Sequence, residues 1–305
     1  MTDESERGGS VERRVRAADG TDLLVREWPA PKAPIGHLLL VHGLGEHSGR
    51  YEHVGAWLTD AGFAVHAYDH RCFGGSRGRR AWVDRWSVLH DDLAERVGAV
   101  TKAADGRPVA VYGHSLGGLM ALGAVLDDRI RPDILVLSAP GIDASIPPLT
   151  RLAVTLLGRF RSGTELPNGL RGDQLSRDPA VGRRYVDDPR NHHRTTARFG
   201  VLAFAAQRRC RLLLDRLATP TLVIHGADDS IVPARVSEPL TALPVVERRV
   251  YPGIRHELHN EPEGEAIVGE VAAWLRAHLA DRTHAATPRR GGATATGWGA
   301  TRPPS

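Results

Sequence analysis

Gly113-His114-Ser115-Leu116-Gly117 stands between an apolar run, Pro108–Tyr112, and a glycine-rich stretch of helical character, Leu116–Leu126. A serine framed by glycines at this spacing, after a strand and before a helix, suits a nucleophile on a sharp strand-to-helix turn. So tight a turn requires the neighbours Gly113 and Gly117 to lack side chains, and its strain lifts the Ser115 hydroxyl clear of the backbone. A serine hydroxyl alone is a poor nucleophile, so a base and an orienting acid must come from elsewhere in the chain. Two later strand ends offer them. Thr221–Ile224 runs into His225-Gly226-Ala227-Asp228-Asp229, and Val246–Val250 runs into Tyr251-Pro252-Gly253-Ile254-Arg255-His256-Glu257. The order Ser115, Asp229, His256 fits acyl transfer through a serine ester. Asp228 competes with Asp229 by adjacency, Asp143 by following an earlier strand, and His259 with His256 by lying three residues on. His42-Gly43-Leu44-Gly45 follows another strand, so the amides of Leu44 and Leu116 are expected to receive the developing oxyanion.

The elements that must position these residues can be read around them. Arg13–Arg16 and Leu23–Trp28, flanking Asp19-Gly20, predict a β-hairpin. Buried-strand runs follow at Gly36–Val41, Ala64–Tyr68, Pro108–Tyr112, Ile134–Leu137, Thr221–Ile224 and Val246–Val250. Helical stretches fall near 51–61, 87–104, 116–127, 234–242 and 264–279. Such alternation predicts an α/β protein with a mostly parallel central sheet covered by helices on both faces. The alternation lapses over 142–212, which lacks a clear strand and reads as a helical cap inserted over one end of the sheet. The expected organisation is thus a core of 11–141 and 213–281, a cap of 142–212, and disordered polar tails at 1–10 and 282–305.

Several blocks resemble the monoacylglycerol lipase-like (serine aminopeptidase S33-related) branch of the α/β-hydrolases. They are HGLGEHSGRYEHVGAWLTDAGF, YDHRCFGGSRGRR, VYGHSLGG, LSAPGID, SRDP, VIHGADDSIVP and YPGIRHELHNEPE, spanning roughly residues 35–280. The resemblance implies an α/β-hydrolase fold and an esterase for monoglycerides or lysophospholipids, with a mobile cap forming an acyl tunnel. By motif it places the nucleophile at Ser115, the acid at Asp229, the base at His256 and the oxyanion amides at Leu44 and Leu116. In the HGxxDxIV pattern the acid is the fifth residue, Asp229. One position departs: Cys72 stands where the family usually has glycine. If that loop needs a positive φ, the cysteine costs about 1 kcal/mol.

Of the remaining histidines, His42 and His114 read as turn supports and His225 as a structural strand-end residue, while His192-His193 in the cap reads as solvated or as approaching a head group. No metal or cofactor is expected. His66-Ala67-Tyr68-Asp69-His70 has tyrosine where an HxHxDH metal motif needs its second histidine, and His256–His259 is HELH, not HExxH. Within the 305 residues, 41% are hydrophobic and no apolar run approaches the ~18 residues of a membrane span. The N-terminus is polar and acidic, without the apolar stretch of a secretory leader, which predicts a cytoplasmic protein. Two cysteines, Cys72 and Cys210, are expected as free thiols.

Net charge is +4, carried by 38 Arg against Lys32 and Lys102, with none of the basic-aromatic clustering of nucleic-acid modules. Residues 142–212 hold +7 and 282–305 hold +4, leaving −7 on the rest. An acidic body under a basic lid reads either as solvated arginines on exposed helices or as a surface for peripheral contact with anionic lipid. The leading expectation is a serine carboxylester hydrolase acting as a monoacylglycerol lipase. A lysophospholipase, or a small-ester or peptide hydrolase, is the alternative on the same triad. A catalytically silent lipid-binding protein is the alternative from another class.

Overall fold

The computed structural model of the chain describes residues 9–143 and 146–285. Its centre is an eight-stranded sheet: β1 (Val11–Arg16), β2 (Asp22–Glu27), β3 (His37–Val41), β4 (Ala64–Tyr68), β5 (Val109–His114), β6 (Ile134–Ser138), β9 (Thr221–Gly226) and β10 (Val246–Tyr251), in the order β1-β2-β4-β3-β5-β6-β9-β10. The hairpin β1–β2 and the β2–β4 pair are antiparallel, and every other pair is parallel. The continuous apolar runs follow from burial on both sides. In β3, Leu39 and Val41 join one core cluster while Leu38 and Leu40 join the other, as the two-residue period of a strand requires.

Helices α1 (Glu52–Asp60) and α8 (Gly264–Ala285) cover one face. Helices α2 (Ser87–Ala104) and α3 (Leu116–Leu126) cover the other. α3 is buried almost all round, which explains its glycine and alanine content: it packs between the sheet, α2 and a later helix.

Between β6 and β9 the chain builds α4 (Pro148–Phe160), β7 (Glu165–Pro167), α5 (Gly172–Leu175), α6 (Pro179–Asp187), β8 (Arg194–Thr196) and α7 (Ala197–Leu212). The region read as purely helical therefore contains an antiparallel ribbon, β7–β8, with Glu165 opposite Thr196. Three-residue strands, one ending in proline, leave no periodic signal. α7 buries Phe199, Ala206 and Cys210 in the same cluster as α2 and α3, so its inner face belongs to the main core.

Three further expectations shift. The stretch 234–242 is a 3₁₀ helix, with Pro239 inside it removing an amide donor. Helix α8 runs to Ala285, past the expected start of the C-terminal tail at 282. Ser10, placed in the N-terminal tail, is anchored by its hydroxyl to Glu52 at 2.6 Å. The rest of both tails, 1–8 and 286–305, lies outside the described residues. Cys72 does take φ 71°, and its buried thiol donates to the Trp82 carbonyl at 2.8 Å. No described helix is long and apolar enough to cross a membrane.

Candidate active site

Ser115 sits between β5 and α3 with φ 52° and ψ −113°, a region that non-glycine residues rarely enter. Close approach makes the neighbouring glycines obligatory. A Cβ on Gly117 would stand 2.0 Å from the Val41 carbonyl oxygen, and one on Gly113 2.5 Å from that of Gly117. The strained peptide is held on both sides: the Ser115 amide donates to Ser138 O at 2.9 Å, and Ser115 O accepts the Gly141 amide at 2.9 Å.

The Ser115 hydroxyl lies 3.0 Å from His256 Nε2, and His256 Nδ1 lies 2.7 Å from Asp229 Oδ2. With Nδ1–H donating to the carboxylate, Nε2 is free to accept the serine proton. The other carboxylate oxygen accepts the amides of Ile231 and Val232, each at 2.8 Å. Burial opposes the charge on Asp229, but His256 and His225 beside it and the Val232 amide outweigh burial and hold the carboxyl below its ordinary range. Burial likewise opposes protonation of His256, and Asp229 overcomes it, raising the imidazole above its ordinary value of 6.5.

The competitors fall away by position. Asp228 is exposed, Asp143 pairs with Arg151 at 3.1 Å and Arg211 at 3.2 Å, and His259 stacks on Tyr51 at 4.7 Å. Leu44 and Leu116 line the same cavity as Ser115. Leu116 opens α3, where the first amides lack an intrahelical acceptor. The Leu44 amide shares its peptide unit with Gly43 O, which accepts His42 Nδ1–H at 2.8 Å. His42 Nε2 accepts the His70 amide at 2.9 Å, which fixes that tautomer, and burial holds the ring neutral, down to about 3.

Two groups escaped sequence reasoning. His225, read as structural, places Nε2 2.7 Å from Val232 O and 3.4 Å from Asp229 Oδ2; both are acceptors, so Nε2 carries the proton and the carboxylate lies between two imidazoles. The HG pair ending β9, four residues before the acid, was the available signal. The second is a buried ion triad. Arg50 reaches Glu46 at 2.5 Å and Glu257 at 2.6 Å, and Tyr51 OH donates to Glu46 at 2.7 Å. Glu46 also accepts the Gly43 amide at 2.5 Å, tying the triad to the loop that carries Leu44. Arg50 and Glu46 are readable as a pair four apart; Glu257, 207 positions away, is not.

The site opens into a cavity of about 600 Å³. Leu119, Val154, Leu166, Phe199, Phe204 and Val232 give it an apolar wall, and its acidic lining residues are Glu46, Asp143 and Glu257, each paired with an arginine behind the wall. Among the described residues no arginine or lysine lines it, in a chain holding 40 of them. Nor do the described residues include three His, Cys, Asp or Glu side chains grouped to hold a metal ion.

The model of the family described as serine aminopeptidase, S33, matches residues 32–263. A monoacylglycerol lipase of Mycolicibacterium smegmatis is 33% identical over 273 residues, covering 85% of this chain and 95% of that protein. The crystal structure of a Paleococcus ferrophilus monoacylglycerol lipase is 30% identical with a TM-score of 0.75, covering 84% of this chain and 99% of its own. A soluble variant of the Saccharomyces cerevisiae monoglyceride lipase, solved with a substrate analog, superposes with a TM-score of 0.82 at 21% identity, covering 91% and 97%; that likeness concerns the fold.

Proposed function

The chain belongs to the serine aminopeptidase S33 family of hydrolases and has the α/β-hydrolase fold, and from that premise we propose that it hydrolyses monoacylglycerols to fatty acid and glycerol. Ser115 passes its proton to His256 Nε2 as its oxygen attacks the ester carbonyl. The tetrahedral oxyanion rests on the Leu44 and Leu116 amides, and Asp229 stabilises the imidazolium. His256 then protonates the departing glycerol, leaving an acyl ester on Ser115. Water, deprotonated by His256, releases the fatty acid. No cofactor enters these steps.

The observation that carries the choice of head group is the cavity wall. A lysophospholipid brings a phosphate, which proteins meet with arginine or lysine, whereas the described wall has neither and offers an apolar surface with neutral polar side chains such as Asn168 and Gln174 to a neutral polyol ester. A panel of monoacylglycerol, lysophosphatidylcholine and p-nitrophenyl butyrate tests the reading, with Ser115→Ala as control. Monoacylglycerol is expected to give the highest kcat/KM, and Ser115→Ala to abolish all three activities. Preference for lysophosphatidylcholine would overturn the head-group reading. Hydrolysis by Ser115→Ala would overturn the nucleophile. A folded protein that a fluorophosphonate probe does not label would be a lipid-binding protein.

Residues 142–212 serve, in this reading, as the cap over the site and as its contact with lipid. Helix α4 buries none of its residues, and Leu149, Leu152, Leu156 and Phe160, spaced along one face, are exposed. The exposed Arg159 and Arg161 accompany them in a segment of net charge +7, and each arginine near an anionic surface contributes about 1 kcal/mol. Co-sedimentation should show binding to vesicles containing phosphatidylserine that weakens with salt and with Leu152→Asp/Phe160→Asp. Binding indifferent to lipid charge, salt and these substitutions would refute the contact.

A further inference from the structure

The loop that presents Leu44 is held from two directions. From the core, His42 bonds Gly43 O and Glu46 bonds the Gly43 amide. From the inserted segment, the His192 amide donates to Gly45 O at 2.9 Å, and Asp188, at the end of α6, accepts a hydrogen bond from His47 at 2.8 Å. His47 Nδ1 accepts the Gly49 amide at 3.1 Å, so its proton is on Nε2, facing Asp188. Asp188 also holds its own turn in place: its Oδ1 accepts the Arg190 amide at 2.8 Å, and its backbone carbonyl accepts the Asn191 amide at 3.0 Å. That turn leads directly to His192. The fit leaves no slack. Gly45 has φ +72°, and a Cβ there would stand 2.6 Å from His192 O.

Leu44 therefore lies between a peptide pinned by the core and a peptide pinned by the insertion. The geometry points to Asp188 as a positioning residue for the oxyanion amide: through His47, and through the turn that delivers the His192 amide to Gly45, it sets where Leu44 N–H points. The inserted segment thus completes the oxyanion hole as well as covering the substrate. The inference rests on Ser115 being the nucleophile and on Leu44 receiving the oxyanion.

Asp188 does not line the cavity that holds Ser115, so its removal should leave substrate binding nearly unchanged. Misplacing a reacting geometry by an ångström costs up to 100-fold, and deleting an oxyanion donor outright costs more. Asp188→Ala should lower kcat on monoacylglycerol about 10- to 100-fold with KM within about twofold. A trifluoromethyl ketone, whose tetrahedral adduct puts its oxygen in the hole, should lose affinity by the same factor as kcat/KM. Asp188→Asn keeps one carbonyl for two donors and should restore part of kcat. It also serves as the reporter if the alanine variant does not fold. A normal kcat with raised KM, or a ketone affinity unmoved while kcat falls, would overturn the inference with the Ser115 reading intact. Activity persisting in Ser115→Ala would overturn both.

Discussion

Replacing Asp229 with asparagine changes one atom, and the surrounding bonds decide what that atom does. Oδ1 accepts two amides, from Ile231 and Val232, each at 2.8 Å. An asparagine that turned its NH2 toward them would leave both amides facing donors, at about 1–3 kcal/mol for each unsatisfied group. The amide oxygen therefore stays on Ile231 and Val232, and the NH2 takes the place of Oδ2, 2.7 Å from His256 Nδ1. There it donates, so His256 must accept at Nδ1 and carry its proton on Nε2. That proton now faces Ser115 Oγ at 3.0 Å, and the base is gone. A triad locked in this tautomer loses about 10⁴ in rate, near 5.5 kcal/mol of transition-state stabilisation. The assay is kcat/KM on p-nitrophenyl butyrate at pH 8, beside a thermal melt to establish that the variant is folded. A folded Asp229→Asn retaining more than a hundredth of wild-type kcat/KM would refute the tautomer argument and with it the assignment of Asp229.

Three further outcomes follow from the same geometry. Because His256 must be neutral to act and its folded pKa is raised, kcat/KM should fall as pH drops, with its half-point above 6.5; a half-point below that value would contradict the pairing with Asp229. Arg50→Leu leaves Glu46 and Glu257 buried without their cation and should cost about 3–5 kcal/mol in urea denaturation, against little loss if the triad were solvated. At position 72, Ala keeps the φ 71° strain and loses the sulfur, whereas Gly sheds both. Cys72→Ala should therefore be less stable than Cys72→Gly by about 1 kcal/mol, and equal stabilities would show that the loop relaxes.

What was legible beforehand depended on how local the signal was. Ser115, Asp229 and His256 each sit just past a strand, within a few residues of glycines the turns demand, so motif and element announce each other. His225 is in the same motif, yet its hold on Asp229 depends on Val232 O orienting one ring nitrogen, which no spacing encodes. The Arg50–Glu257 pair joins segments 207 positions apart and becomes visible only after folding. Among the elements, β3 and β5 were plain because burial on both faces makes them uniformly apolar. β7 and β8 are too short to alternate, and Pro239 turns an amphipathic stretch into a 3₁₀ helix. The boundary at 212 failed to foresee that α7 faces both ways, toward α4 and into the main core.

The cavity without arginine or lysine also governs how a turnover ends. A neutral ester enters, but the acid it yields ionises at neutral pH, and the new carboxylate faces an apolar wall whose own carboxylates already have their arginine partners, with no arginine or lysine among the described lining residues to detain it. A charge left without a partner in an apolar cavity is better hydrated outside, which favours egress. The fatty acid should accordingly be a weak inhibitor at neutral pH and a stronger one once acidified, when it leaves the chemistry as neutral as the ester that came in.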